Sequence, residues 1–315
     1  MVKILVIGDL HGQMPRIHFK DFDYIACVGD VCDDSGFRPF AKQWFALSKK
    51  MGDDAPSVQE LIDEKLGEEG VEKLEKESLK KGRKILEYLN SFGKPIFFVP
   101  GNWDQSYGKS RINDIYKNDY NQIRGVMDRW FGLRSNKELI KGFENVYDLQ
   151  FGLYASGEFN LIGYGLTNNN DNFRKNILEN DLTKFQRKEL NKYFNNVLKR
   201  LPKLWDKRNK KAPTIFISHN MPEGIMDKSL IKNSHTYKKS LGSWVARDFC
   251  LKKKPEICIG GHMHEYYGQQ KLRGTNVVNA GYGRDAQVLL EIKGKKVRVK
   301  FVESLRKRYR GKRIK

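Results

Sequence analysis

Five apolar runs recur along the chain, and each ends in glycine and polar residues that an ordinary turn would not need. They lie in KILVIGDLHG (3–12), DYIACVGDVCDD (23–34), PIFFVPGNWD (95–104), PTIFISHNMPEG (213–224) and PEICIGGHMHE (255–265). Runs apolar at successive positions predict strands buried on both faces, as in a sheet covered by helices. Between them, 37–50 and the charged stretch 58–92 carry helical patterns. Strands alternating with helices predict a largely parallel α/β sheet. In such sheets ligands bind beyond the carboxyl ends of the strands, where all five polar endings fall. Residues 276–303 read instead as antiparallel strands, with a tight turn at Lys293-Gly294-Lys295. Two segments, 105–150 and 167–211, interrupt the strand series and read as mostly helical insertions forming a cap over the site. The organisation expected is one domain over 1–304 with those insertions, then a basic tail, LRKRYRGKRIK (305–315), as a solvated end.

Composition narrows the class. With 315 residues, 39% apolar and 31% charged, the chain is long enough for a sizeable core and too apolar for a disordered segment. No apolar run approaches the ~20 residues that span a bilayer, and no membrane partner is expected. The opening MVKILVIGDLHG has too short an apolar stretch for a signal peptide, so a cytoplasmic location is expected. Cys27, Cys32, Cys250 and Cys258 form no CxxC pair, which predicts reduced thiols. Cys27 and Cys258 read as packing residues, and Cys32 adjoins a motif. The net charge of +21 favours polyanions or phosphorylated substrates, with nucleic acid as the candidate partner. Residues 171–211 alone hold thirteen Lys/Arg against five Asp/Glu. Lysine- and glutamate-rich surfaces of heat-stable proteins offer a plainer reading of the same charge.

The polar endings share a chemistry. Asp9 and His11 lie two residues apart where a strand ends, which puts both side chains on one side. His262 and His264 repeat that spacing, and Asp30, Asn102 and His219 follow their strands directly. A lone histidine is more often structural, and an aspartate after glycine is often only a turn residue. Seven oxygen and nitrogen ligands at five strand ends make a joint metal site the better reading. Two ions fit if one carboxylate bridges, and dinuclear hydrolases hold theirs ~3.5–4 Å apart to clamp one phosphoryl group. Mixed His/Asp/Asn ligation points to Mn, Fe, Zn, Co or Ni.

These motifs resemble the calcineurin-like metallophosphoesterase superfamily, whose pattern runs D-x-H, G-D-x-x-D, G-N-H-[DE], a single His and G-H-x-H. Here they stand as Asp9-Leu10-His11, Gly29-Asp30-Val31-Cys32-Asp33, Gly101-Asn102-Trp103-Asp104, His219 and Gly261-His262-Met263-His264. The resemblance implies an α/β fold of two packed mixed sheets flanked by helices. It implies one divalent ion on Asp9, His11, Asp30 and His264, and a second on Asp30, Asn102, His219 and His262, with Asp30 bridging. The activity implied is hydrolysis of phosphate esters by water activated on the two ions, with Asp30, Asn102 and Asp104 in the catalytic set. Trp103 stands where the family has a histidine. Indole cannot do acid–base work near neutral pH, so Asp104 loses its usual partner and is expected to support the turn.

Substrate contacts are expected from Trp103 as a flat wall, from Tyr266 with Tyr267, and from Asn279 in a loose match to the family's late Asn-x-Gly loop. The first motif, GDLHG, resembles the Ser/Thr protein phosphatase branch, but GDVCDDSG and GNWD depart from it and lack the arginine that grips phosphate there. The G-H-x-H ending belongs to phosphodiesterase-type members. A phosphodiesterase acting on nucleic acid, nucleotides or cyclic nucleotides is therefore the leading expectation. A phosphatase-like monoesterase and a non-catalytic nucleic-acid- or protein-binding module on the same fold are its rivals. His18 reads as surface, His235 as a candidate replacement acid on a loop, and Trp44-Phe45 and Trp130-Phe131 as core.

Overall fold

The computed structural model describes residues 1–51, 54–56, 58–104, 137–165, 171, 183–232 and 236–312. The first motif strands are β1 (Val2–Ile7), β2 (Tyr24–Cys27) and β3 (Ile96–Phe98), and β4 (Val146–Asp148) continues them. Next along the chain come β5 (Leu153–Ala155), β6 (Asn160–Tyr164), β7 (Thr214–Ser218), β8 (Ile257–Gly260), β9 (Gly268–Leu272) and β10 (Thr275–Asn279). The last pair is β11 (Val288–Lys293) and β12 (Lys296–Phe301). They form two six-stranded sheets, ordered β12-β11-β1-β2-β3-β4 and β5-β6-β7-β8-β10-β9. In the first sheet β1, β2, β3 and β4 run parallel, and in the second β6, β7, β8 and β10 do. Helices α1 (Arg38–Met51), α2 (Val58–Asn90), α3 (Lys184–Lys207), α4 (Trp244–Lys253) and α5 (Glu303–Lys312) complete the described elements.

The continuous apolar runs are explained by the layers they join. Val2, Ile4 and Val6 face Leu161, Ile215, Ile217, Ile257 and Ile259 in the core between the sheets. Leu5 and Ile7 point the other way, with Ile25, Cys27 and Phe98, onto Ile85, Leu86 and Leu89 of α2. On the outer face of the second sheet, Ile162, Phe216 and Cys258 pack beneath Leu201 of α3 and Val245 and Phe249 of α4. Fully burying one such side chain is worth ~1.5–3 kcal/mol, so burial on both faces of each strand stabilises this layering. The two packed mixed sheets that the motifs implied are present. Among the described residues no helix is long and apolar enough to cross a membrane.

Several local expectations change. Segment 276–303 does not make one antiparallel unit, because β10 pairs with β8 and β9 while β11 pairs with β1 and β12. The chain changes sheets between Asn279 and Val288 and so runs along the rim where the motifs lie. Within 105–150, read as helical, β4 is an edge strand beside β3, too short for its periodicity to show. Residues 105–136 lie outside the described residues, as do most of 167–182, His235 and Trp130-Phe131. An accessory helix pair lies elsewhere, where α1 and α2 pack Phe37, Phe40, Leu61, Ile62 and Val71 into a small core of their own. Helix α2 is interrupted at Gly67, whose φ of 63° and ψ of −179° leave the helical region. The basic tail begins as α5, and its Leu305 and Tyr309 pack against the inter-sheet core. That pair is four residues apart on one helix face, a signal hidden by the surrounding charge.

Candidate metal centre

The two sheets bring their motif loops to one rim. Asp9 N–H donates to Gly29 O at 2.8 Å, His11 N–H to Asp30 O at 2.9 Å, and Gly261 N–H to His219 O at 2.9 Å, so neighbouring loops are zipped together. Asp9, His11, Asp30 and His262 have φ of 48°, 46°, 53° and 61°. Non-glycine residues rarely occupy this left-handed region, and such strain persists where surrounding structure enforces it, often at functional sites. The glycines give room. A Cβ on Gly261 would stand 2.1 Å from Asp9 Oδ2, and one on Gly101 2.0 Å from Asp30 Oδ1.

All seven sequence-predicted ligands meet there. Asp9, His11 and His264 form one group and Asp30, His219 and His262 another, with the ligand atoms of each within 4.8 Å of one another. Asn102 Oδ1 lies 2.9 Å from His262 Nδ1 and 3.0 Å from His219 Nε2, which adds it to the second group. Asp30 Oδ2 is 3.6 Å from His11 Nε2 and 3.4 Å from His219 Nε2, between the two groups. His219 is oriented by Val28 O, 2.8 Å from its Nδ1. These residues fit divalent cations. Asp9 Oδ1 is buried with no hydrogen-bond partner among the described residues. The Nε2 atoms of His11 and His264 face each other at 3.1 Å, converging lone pairs where a cation would sit.

Charge is unevenly shared across the cluster. Burial raises the Asp9 pKa to about 7 against the pull of His219. Burial also opposes ionisation of Asp30, but His219 and His11 hold it well below the carboxylate range. His219 is disfavoured as a cation by burial, yet Asp30 and then Asp9 lift it to about 9. Burial, then the neighbouring His11 and His262, push His264 well below its usual value. Two cations would substitute for the shared protons among these groups.

The remaining predicted site residues are not among these candidate ligands, though several touch them. Asp104 is buried, and both its oxygens are taken up by backbone N–H groups. Its Oδ2 accepts from Gly101 N at 2.7 Å and Asp30 N at 2.9 Å, and its Oδ1 from Val31 N at 2.9 Å and Cys32 N at 3.2 Å. It thus binds the loop after β2 to the loop after β3. Trp103 donates its backbone N–H to Asp30 Oδ1 at 2.7 Å, while its ring packs 5.8 Å from Phe37 in the α1–α2 core. Asn279 is fully buried and braces the histidine loop, donating to Gly261 O at 3.3 Å and Met263 O at 3.1 Å. Tyr267 is core, its hydroxyl 2.5 Å from Gln287 O, whereas Tyr266 is partly exposed and donates to Lys228 O at 3.0 Å. Cys32 is buried in the core under α2 with Leu86 and Leu89. His18 sits 3.2 Å from Asp285, apart from the ligands.

Sequence reasoning missed three neighbours of the ligands. Asp34 Oδ2 lies 3.0 Å from His11 Nδ1. Arg38, the first residue of α1, donates from Nε to Asp34 Oδ1 at 2.7 Å and from Nη2 to the Tyr282 hydroxyl at 2.8 Å. Tyr282 stacks on His264, with ring centroids 4.0 Å apart and planes at 23°. The i,i+4 pair Asp34–Arg38 was legible as a local ion pair. Tyr282 was not, because its position depends on the change of sheet after β10.

Two of the solved structures that the chain resembles are remote in sequence. A phosphopantetheinyl hydrolase from Mycobacterium tuberculosis is 10% identical, with 89% of each chain covered and a TM-score of 0.40. A dimetal phosphatase from Danio rerio is 9% identical, with 95% of each chain covered and a TM-score of 0.45. No curated protein matches the chain by sequence. Residues 2–266 match the model of the calcineurin-like phosphoesterases, a span that holds all seven candidate ligands. By that match, the chain belongs to the calcineurin-like phosphoesterase family.

Proposed function

We propose that this protein is a dinuclear metal-dependent phosphoesterase that hydrolyses phosphodiesters. The observation that carries the reading is the convergence of seven candidate ligand side chains, from five loops and both sheets, into two adjacent groups. Asp9, His11 and His264 would hold one ion, and Asn102, His219 and His262 the other, with Asp30 serving both. When bound, the ions supply Lewis-acid activation of water and neutralise charge on the phosphoryl group. The chain's own residues position them. Asp30 keeps Oδ2 toward both groups because its Oδ1 is held by the Trp103 N–H, and Asp104 fixes the loops that carry Asp30 and Asn102.

Preference for diesters with good leaving groups follows from Trp103. An indole beside Asn102 cannot protonate a departing alkoxide, and this one is engaged with Phe37. General-acid assistance is typically worth ~10²–10⁴-fold, so its absence penalises alkyl esters most. Nucleic acid or a nucleotide is the substrate class that the charge of +21 supports. Exposed Lys184, Lys188, Lys192, Lys199, Lys203 and Lys207 recur at spacings of four and seven along α3, which places them on one side of that helix.

The test is a metal-supplemented panel of aryl diesters, alkyl monoesters, cyclic nucleotides and oligonucleotides, with Mn, Fe, Zn, Co and Ni compared. Bis-p-nitrophenyl phosphate should turn over at least ~10²-fold faster than serine phosphate. Equal rates would show that another residue supplies the proton. No hydrolysis with any ion would leave the binding-module reading in place. Oligonucleotide affinity should fall steeply with salt, as counterion release requires.

A further inference from the structure

Beside the His11–His264 face of the centre lies a pair of polar groups with hydrogens to spare. Arg38 spends Nε on Asp34 and Nη2 on the Tyr282 hydroxyl, and neither contact uses Nη1. Its side chain is 44% exposed although two partners anchor it. The Tyr282 oxygen accepts from Arg38 at 2.8 Å and from Gln13 Nε2 at 3.4 Å, so its own hydrogen faces no acceptor among the described residues. The ring beneath that hydroxyl is fixed by stacking on His264 and lies 5.5 Å from the His11 ring. Two donors, one of them permanently charged, are thus held rigidly at the edge of two ligand imidazoles.

A guanidinium fastened through one edge is a preorganised donor for oxyanions, because little rotamer entropy is left to lose. Among the described residues its one carboxylate partner is Asp34, which is shared with His11. We propose that Arg38 and Tyr282 form an oxyanion subsite that takes a non-bridging phosphoryl oxygen of the substrate. The subsite rests on the phosphoesterase reading and adds to it a substrate-gripping residue delivered by α1. The position of α1 is set in turn by the Phe37–Trp103 contact and the α1–α2 core. The accessory helix pair therefore has a functional use: it holds the guanidinium at the rim.

The probe is inorganic phosphate, titrated calorimetrically into the metal-loaded protein, with metal content measured on the same samples. Arg38→Ala should weaken phosphate binding about 10–100-fold, the loss of one charge-assisted hydrogen-bonding group. Two ions per chain should be retained. Arg38→Lys should restore part of the affinity, since it returns the charge without the fork. Tyr282→Phe keeps the ring on His264 but removes the acceptor of Arg38 Nη2, and should weaken phosphate by a smaller factor than Arg38→Ala, with two ions retained. In diester hydrolysis the Arg38→Ala change should appear more in KM than in metal dependence. If Arg38→Ala binds phosphate as wild type does, the subsite is wrong while hydrolysis by wild type still upholds the phosphoesterase reading. If affinity and metal content fall together, Arg38 acts through Asp34 and His11, and the subsite is again wrong. If phosphate binding depends on Arg38 but no ester is hydrolysed, the subsite stands and the phosphoesterase reading fails.

Discussion

Asp104→Asn separates a bracing role from a catalytic one at the carboxylate of the GNWD motif. In the native loop pair each carboxylate oxygen serves two backbone N–H groups, Gly101 and Asp30 on one side, Val31 and Cys32 on the other. An amide has a single oxygen and can serve one of these pairs. Its NH2 then faces the other pair, donor to donor, in a site with no water-accessible escape because Asp104 is only 6% exposed. Two hydrogen bonds to a charged acceptor are worth roughly 3–6 kcal/mol. Part of that is offset, because burial and the adjacent Asp30 carboxylate already raise the Asp104 pKa and the amide removes that repulsion. A net loss of about 2–4 kcal/mol is expected. Urea unfolding of the metal-free protein, followed by tryptophan fluorescence, measures it, and metal titration should show weakened binding at the Asp30–Asn102 side. If Asp104→Asn unfolds within ~0.5 kcal/mol of wild type and keeps its metals but loses turnover, the carboxylate works in the chemistry and the bracing argument fails.

Other perturbations test the geometry in different places. Gly261→Ala puts a methyl group 2.1 Å from Asp9 Oδ2, so metal content should drop toward one ion while far-UV circular dichroism is unchanged; retention of two tightly bound ions would refute the close approach. Trp103→Ala should destabilise by roughly 2 kcal/mol, less than the ~3–5 typical of a fully buried aromatic, and an unfolding curve matching wild type would mean that the Phe37 contact contributes little. Trp103→His should raise alkyl-monoester turnover less than ~10-fold, because Asp104 is committed to four backbone groups and cannot orient the new imidazole; full recovery of acid catalysis, ~10²-fold or more, would contradict this. Burial lifts the Asp171 pKa to about 6 against the hydrogen bonds from Ser243 and Tyr164. Its unfolded value is about 3.9, so between these values the folded state holds the proton that the unfolded state has lost, and stability falls as pH rises through that window. Asp171→Asn should flatten the wild-type slope between about pH 4 and 6, and an unchanged slope would reject the assignment.

What the sequence made legible follows from the range of the interactions involved. The strand ends and the convergence of their candidate ligands were readable because each motif is local: an apolar run buried on both faces, then glycine and ligand-type residues within a few positions. The facing of the two sheets followed from the family resemblance rather than from periodicity, since runs apolar at every position carry no signal of which face meets which layer. Strand β4 went unread because three residues show no period, and β9 because Gln269, Gln270 and Lys271 are polar on an exposed edge. Tyr282 owes its place to a change of sheet, a long-range event with no local mark. Trp103 and Asp104 show the same limit. Neighbours in sequence, they point in different directions, one into the α1–α2 core and the other into the backbone of the opposite loop.

The central claim is that seven residues hold two ions through a shared Asp30. Elemental analysis of the reconstituted protein, paired with bis-p-nitrophenyl phosphate turnover, tests it most directly when wild type and Asp30→Asn are compared. Two ions per chain and hydrolysis are predicted for wild type, with both ions weakened and turnover abolished in Asp30→Asn. Two retained ions and normal turnover in Asp30→Asn would contradict the account.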